Sequence, residues 1–124
     1  MNYTHPFHLA LREKIDAFVE MVYLNSDGFP KSERFESNSQ LRRAALSVAL
    51  NYVEGYARMG RPTNKHFLEI SYGSLKETEY LIRFCTKQGW IEKEISGKLL
   101  ELADELGRML WSTIQIKKRP AAAS

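Results

Sequence analysis

Apolar positions recur along the chain at helical spacing, in four blocks separated by turn-forming residues. In the first block Leu11, Ile15, Phe18 and Val22 fall four, three and four residues apart, one face of a helix. Pro6 suits the first turn, where its missing N–H costs nothing, and Thr4 or His5 would be the cap. The spacing predicts a helix over about 6–24, stopped by Asn25-Ser26-Asp27-Gly28, with Gly28 able to turn left-handed. In the second block Leu41, Ala45, Val48, Tyr52 and Gly55 repeat at four and three, after a polar loop opened by Phe29-Pro30. Asn38 is the expected cap of a helix over about 39–56. Ala44, Ser47 and Ala49 keep this helix slim, so a neighbour can approach closely and the helix belongs at the centre.

The third block, capped by Thr63 and stopped by Gly89, presents Phe67, Ile70, Ser74, Leu75, Thr78, Leu81, Ile82 and Cys85 as its expected inner face. Gly73 inside it costs roughly 1 kcal/mol relative to alanine, so a close backbone neighbour is expected there. Glu79 can pair with Lys76 or Arg83 at helical spacing. The fourth block, about 92–118, carries Ile91, Ile95, Leu99, Leu102, Leu106, Met109 and Thr113 in a near-heptad seam that Leu110 and Ile114 extend, with Trp111 off it. No stretch alternates with period two. The pattern predicts an all-α protein, an antiparallel up-down-up-down four-helix bundle. At 124 residues it reads as one domain over 1–119, with 120–124 a disordered tail.

Composition narrows the function classes. Apolar residues make up 44% and charged residues 27%, which excludes a disordered chain. No apolar run reaches the ~18 residues of a membrane span, and the N-terminal stretch does not read as a signal peptide. A single cysteine, Cys85, lies on an apolar face and reads as core. A cytoplasmic protein without a membrane partner is expected.

Charge is uneven. Residues 31–65 hold seven cations (Lys31, Arg34, Arg42, Arg43, Arg58, Arg61, Lys65) against Glu33, Glu36 and Glu54, while the net charge of the whole chain is only +3. Lys117, Lys118 and Arg119 add a second basic run. Two readings stay open: these seven residues contact the phosphates of RNA or DNA, or they form salt bridges and a solvated face. The cations fall in two groups at opposite ends of the second helix, so a continuous track needs several copies of the chain.

Catalytic constellations are missing. His66-x-x-Glu69 is the only stretch near the Glu-x-x-His pairs of di-iron bundles, reversed and unaccompanied. Ser47, Ser71 and Ser74 have no base beside them, and there is no phosphate loop or dinucleotide motif. No cofactor, metal or enzymatic activity is expected. Asn51 and Glu54 share a helix face near Gly55, and Glu77 on the third helix could complete a structural polar network with them. Tyr52, Tyr56, Tyr72, Tyr80, Trp90 and Trp111 supply aromatic surface for either core edges or a protein partner.

Several pieces together carry a family resemblance: Phe29-Pro30-x-x-Glu33-Arg34-Phe35, Ser39-Gln40-Leu41-Arg42-Arg43-Ala44-Ala45-x-Ser47-Val48, Asn51-x-x-Glu54-Gly55 and Gly73-Ser74-Leu75-x-Glu77. Over nearly its whole length the chain resembles the four-helix-bundle proteins encoded in intervening sequences of large-subunit ribosomal RNA genes. Their superfamily includes the accessory variability determinant proteins of diversity-generating retroelements. Ala49 stands where the family usually has proline, and Glu36 where it has glycine. The resemblance implies a soluble bacterial bundle, a homo-oligomeric ring (a pentamer) and a nucleic-acid-associated accessory or scaffold role. The alternative is a structural or protein-binding oligomer that touches no nucleic acid.

Overall fold

The computed structural model describes residues 5–33 and 36–118. The expected disordered tail at 120–124 lies outside them. Four helices follow one another: α1 (Pro6–Leu24), α2 (Ser37–Ala57), α3 (Thr63–Lys87) and α4 (Lys93–Lys118), with a 3₁₀ turn at Lys31–Glu33 before α2. Among the described residues there is no strand. Each helix packs on its neighbours in sequence, and α1 closes against α4, which makes an antiparallel four-helix bundle. The α2–α3 pairing is the most extensive.

Helix ends follow local chemistry. The His5 ring nitrogen Nδ1 accepts the Phe7 N–H at 3.2 Å, and Pro6 occupies the first turn. Asn25, not Gly28, terminates α1: its backbone N–H (3.1 Å) and its side-chain Nδ2 (2.8 Å) both donate to the Met21 carbonyl. Gly28 does not adopt a positive φ. Gly89 does, at +83°, and ends α3 while the Trp90 N–H closes back on the Cys85 carbonyl at 3.0 Å. Helix α2 begins at Ser37, two residues earlier than Asn38 as a cap would require. Glu36 holds the cap position, and Asn38 is buried inside the first turn.

The core runs through all four helices. Leu11, Ile15, Phe18 and Val22 of α1 are buried, as are Leu41, Ala45, Val48, Tyr52 and Gly55 of α2. Helix α3 buries Leu75, Thr78, Ile82 and Cys85 of its expected inner face, but its N-terminal half is turned away from its apolar pattern. Asn64, Leu68, Ser71, Leu75, Thr78, Glu79, Ile82 and Cys85 face inward, while Ile70 is exposed and Phe67 half-buried. The reason is polar. Ser71 donates to the Val48 carbonyl at 2.7 Å and Asn64 to the Gly55 carbonyl, so α3 turns its small polar residues to the α2 backbone. Gly55 permits that approach: a Cβ there would stand 3.0 Å from Leu68 Cδ2 and 3.3 Å from the Asn64 carbonyl oxygen. Gly73 meets no such neighbour, and a Cβ there would enter open space. In α4, which packs on both α1 and α3, the fully buried line is Leu99, Ala103, Leu106, Leu110 and Ile114. Ile95, Leu102 and Met109 are half-buried at its edge.

The turns at one end of the bundle are joined by aromatic packing. Phe29 is buried with its ring 5.6 Å from Trp90, and Trp90 meets Phe84 edge-on at 6.1 Å. The Phe29-Pro30 turn therefore anchors the α1–α2 connection to the α3–α4 connection.

Candidate nucleic-acid interface

The basic residues divide by what their side chains touch. Arg42, half-buried on α2, is occupied internally. Its Nε donates to Ser26 Oγ at 2.7 Å, and its Nη2 donates to the Tyr23 carbonyl at 3.0 Å and to Asp27 Oδ1 at 2.6 Å. Its guanidinium also lies 4.8 Å from the centre of the Tyr23 ring. Beside it, the buried Asn38 amide donates to the Ser26 carbonyl. Asn38 and Arg42 are one helical turn apart, so both reach the Asn25–Asp27 corner from one face of α2 and latch it.

Arg58 is likewise engaged. Its Nε is 3.6 Å from Glu54 Oε2, its Nη1 is 3.4 Å from Thr63 Oγ1, and its guanidinium lies 4.7 Å from the Phe67 ring centre. Lys31, Arg43 and Arg61 are exposed and Lys65 is half-buried; among the described residues none of the four makes a side-chain ion pair. Arg34 lies outside the described residues. The cations without ion pairs remain in two groups, Lys31 with Arg43 at one end of α2 and Arg61 with the half-buried Lys65 at the other. About 21 Å of helix separates Arg43 from the last turn of α2.

The polar network centred on Asn51 takes a different form from the expected Asn51–Glu54–Glu77 set. The Asn51 amide donates to the Ser47 carbonyl and to Ser47 Oγ, each at 2.9 Å. Ser47 Oγ meets Ser74 Oγ across the α2–α3 seam at 2.8 Å, and Thr78 donates to the Ser74 carbonyl at 2.7 Å. Glu54 turns to Arg58, and Glu77 is exposed. Short hydroxyls can bridge two helices packed this closely, whereas glutamates need a wider gap. The serines that offered no catalytic base in the sequence are therefore seam residues, with Asn64 and Ser71 continuing the same line. Their spacing of seven, three and four (Asn64, Ser71, Ser74, Thr78), one helix face, was the signal available.

Two further groups lie apart from these. Near the start of α1, His8 Nδ1 is 3.1 Å from the Tyr52 hydroxyl, and the His8 and Tyr56 rings are 5.0 Å apart. Burial, then the nearby Tyr56 hydroxyl, pushes the Tyr52 phenol well above the ordinary tyrosine range, with Arg12 pulling weakly the other way. On α3, Glu79 is paired with Lys76 at 3.1 Å, which leaves Arg83 without an ion pair among the described residues. Burial opposes the Lys76 charge, but the hydrogen bond and charge of Glu79, with Tyr72, hold its pKa above the ordinary lysine value. No group of three or more His, Cys, Asp and Glu among the described residues is placed to hold a metal ion, and no helix is long and apolar enough to cross a membrane.

The model of a family described as 23S rRNA-intervening sequence protein matches residues 8–112. A crystal structure of a protein of unknown function from the S23 ribosomal protein family of Bacteroides thetaiotaomicron superposes with a TM-score of 0.76 at 21% identity. The match covers 86% of this chain and 96% of that one. Among curated proteins, none matches the sequence.

Proposed function

Since the chain belongs to the 23S rRNA-intervening sequence protein family, we propose that it acts as a non-enzymatic, self-associating bundle that binds RNA or DNA as an accessory or scaffold protein. The observation that carries this reading is the set of exposed cations, Lys31, Arg43 and Arg61, with no ion pair among the described residues. Cations left in solvent on a rigid helix-end frame suit phosphate contact, which is sequence-tolerant and salt-sensitive. Self-association joins the two groups. Leu46, Leu50 and Val53 recur at i, i+4 and i+7 on the exposed side of α2, an apolar stripe that a second copy can cover. A closed ring, with the pentamer as the favoured number, would repeat each basic group around an axis. The site is cytoplasmic in this reading, and a protein partner can share the scaffold.

A second reading has its own support. Arg42 and Arg58, two of the seven candidate contacts, are engaged inside the fold, which fits a structural oligomer that binds no nucleic acid. One experiment separates the two. Fluorescence anisotropy with RNA and DNA oligomers over a salt series should show binding at low salt, falling as salt rises. The combined change Lys31→Ala, Arg43→Ala and Arg61→Ala should weaken it. Absence of low-salt binding by the wild type sinks the nucleic-acid reading and leaves the structural one.

A further inference from the structure

We propose that the outward face of the last third of α3 is a stacking surface for single-stranded nucleic acid, built from Tyr80, Phe84, Arg83 and Lys87. The inference rests on the nucleic-acid reading above and gives it a site that the basic groups of α2 do not contain.

Four observations meet there. Tyr80, Arg83, Phe84 and Lys87 are spaced i, i+3, i+4 and i+7, so one helix face alternates rings and cations. All four are exposed; Tyr80 shows 71% of its surface and Phe84 40%. They line, with Thr86 and Ser96, an open hollow of about 520 Å³ beside the start of α4. Neither Arg83 nor Lys87 has an ion pair among the described residues, and no acidic residue occurs from Tyr80 to Ile91. An exposed tyrosine alone is ordinary, as is an exposed lysine. Two rings and two uncompensated cations on a single hollow are the elements of a single-strand platform, where bases stack on π-faces and phosphates meet the charges.

The platform is also held in place. Phe84 leans on Trp90, and Trp90 on the buried Phe29, so its ring is braced from the bundle end and little ordering remains for binding. Farther along α3 and α4, the tilted Tyr72 and Trp111 rings lie 5.2 Å apart, which continues the aromatic character of this side, while Lys76 there is paired with Glu79. Unpaired bases reach such rings; bases stacked inside a duplex do not. The ligand is therefore single-stranded, read by stacking and charge without a base code.

The test compares a single-stranded oligouridine 20-mer with a duplex of equal length, by anisotropy, using the full chain. The wild type should prefer the single strand. Tyr80→Ala, at an exposed position, should weaken that binding roughly five- to a hundred-fold, while Tyr80→Phe should retain it. Arg83→Ala with Lys87→Ala should lower the salt slope of log affinity by about 1.4, two single-strand phosphates' worth. Circular dichroism melts should stay near wild type for all three variants. Wild-type-like affinity in Tyr80→Ala overturns the inference. If only the Lys31, Arg43 and Arg61 changes abolish binding, the inference falls while the broader reading stands. If the wild type binds neither oligomer at low salt, both fall. In that case, a change in light-scattering mass of the α3 variants would assign this face to a protein contact instead.

Discussion

Asn38 and Arg42 illustrate how a single side chain's role depends on what lies opposite it. From the sequence one is a helix cap and the other either a phosphate contact or a salt-bridge residue. In the fold both hold the corner after α1, through the buried Ser26. Replacing Asn38 by alanine leaves the Ser26 carbonyl buried without this donor and should cost about 1–3 kcal/mol, read as a lowered urea midpoint. Arg42→Ala should likewise lower thermal stability yet leave oligonucleotide affinity close to wild type, since its guanidinium is already engaged. A large affinity loss at unchanged stability would contradict this assignment. Tyr52 offers a pH test. Its folded pKa is raised, so above the ordinary tyrosine value of about 10 the folded state holds a proton that the unfolded chain has lost. The stability this contributes is complete below that pH and declines as pH rises toward the folded value. Melts between pH 9 and 11 should therefore fall more steeply for the wild type than for Tyr52→Phe.

At the scale of elements, the α2–α3 pair is the part of the bundle whose packing is least forgiving. Gly55→Ala places a methyl 3.0 Å from Leu68 and against the Asn64 carbonyl. Overpacking should cost about 1–3 kcal/mol, against a gain of roughly 1 kcal/mol in helix propensity. Gly73→Ala, in the middle of α3 and facing open space, should show the propensity gain alone and raise the melting temperature. Opposite signs for two identical substitutions would confirm the packing; equal signs would refute it. Helices α1 and α2 were legible because each buries one apolar face: Leu11 to Val22 and Leu41 to Gly55 are inward as their spacing predicts. Helix α3 was legible in extent and, over Leu75, Thr78, Ile82 and Cys85, in phase, but not in the phase of its N-terminal half. Ser71 and Asn64 are buried because they bond to the α2 backbone, and an apolar count cannot register that. In α4 the expected Leu99 and Leu106, with Leu110 and Ile114 extending their seam, are fully buried; Ala103 joins them, and Ile95, Leu102 and Met109 stand at the edge, because this helix fills the space between two helices rather than facing one.

For the whole molecule, the surface left over after folding carries the functional argument. Light scattering should report a multiple of the chain mass, and Leu50→Lys, in the exposed stripe of α2, should reduce it without loss of helicity. A wild-type monomer at all concentrations would remove the ring from the proposal. The amino-acid pattern by itself determined the number of helices, their approximate ends, their antiparallel order and the family, because helical periodicity, glycine stops and short connections are local signals. It also located the charges. Whether a charge is free is not local. Arg42 is held by Asp27, 15 residues away, and Arg58 lies against the Phe67 ring of the next helix, whereas Arg83 is left without an ion pair among the described residues because Glu79 pairs with Lys76. Only the tertiary structure decides which cations and rings remain in solvent, because that depends on which faces the packed helices consume.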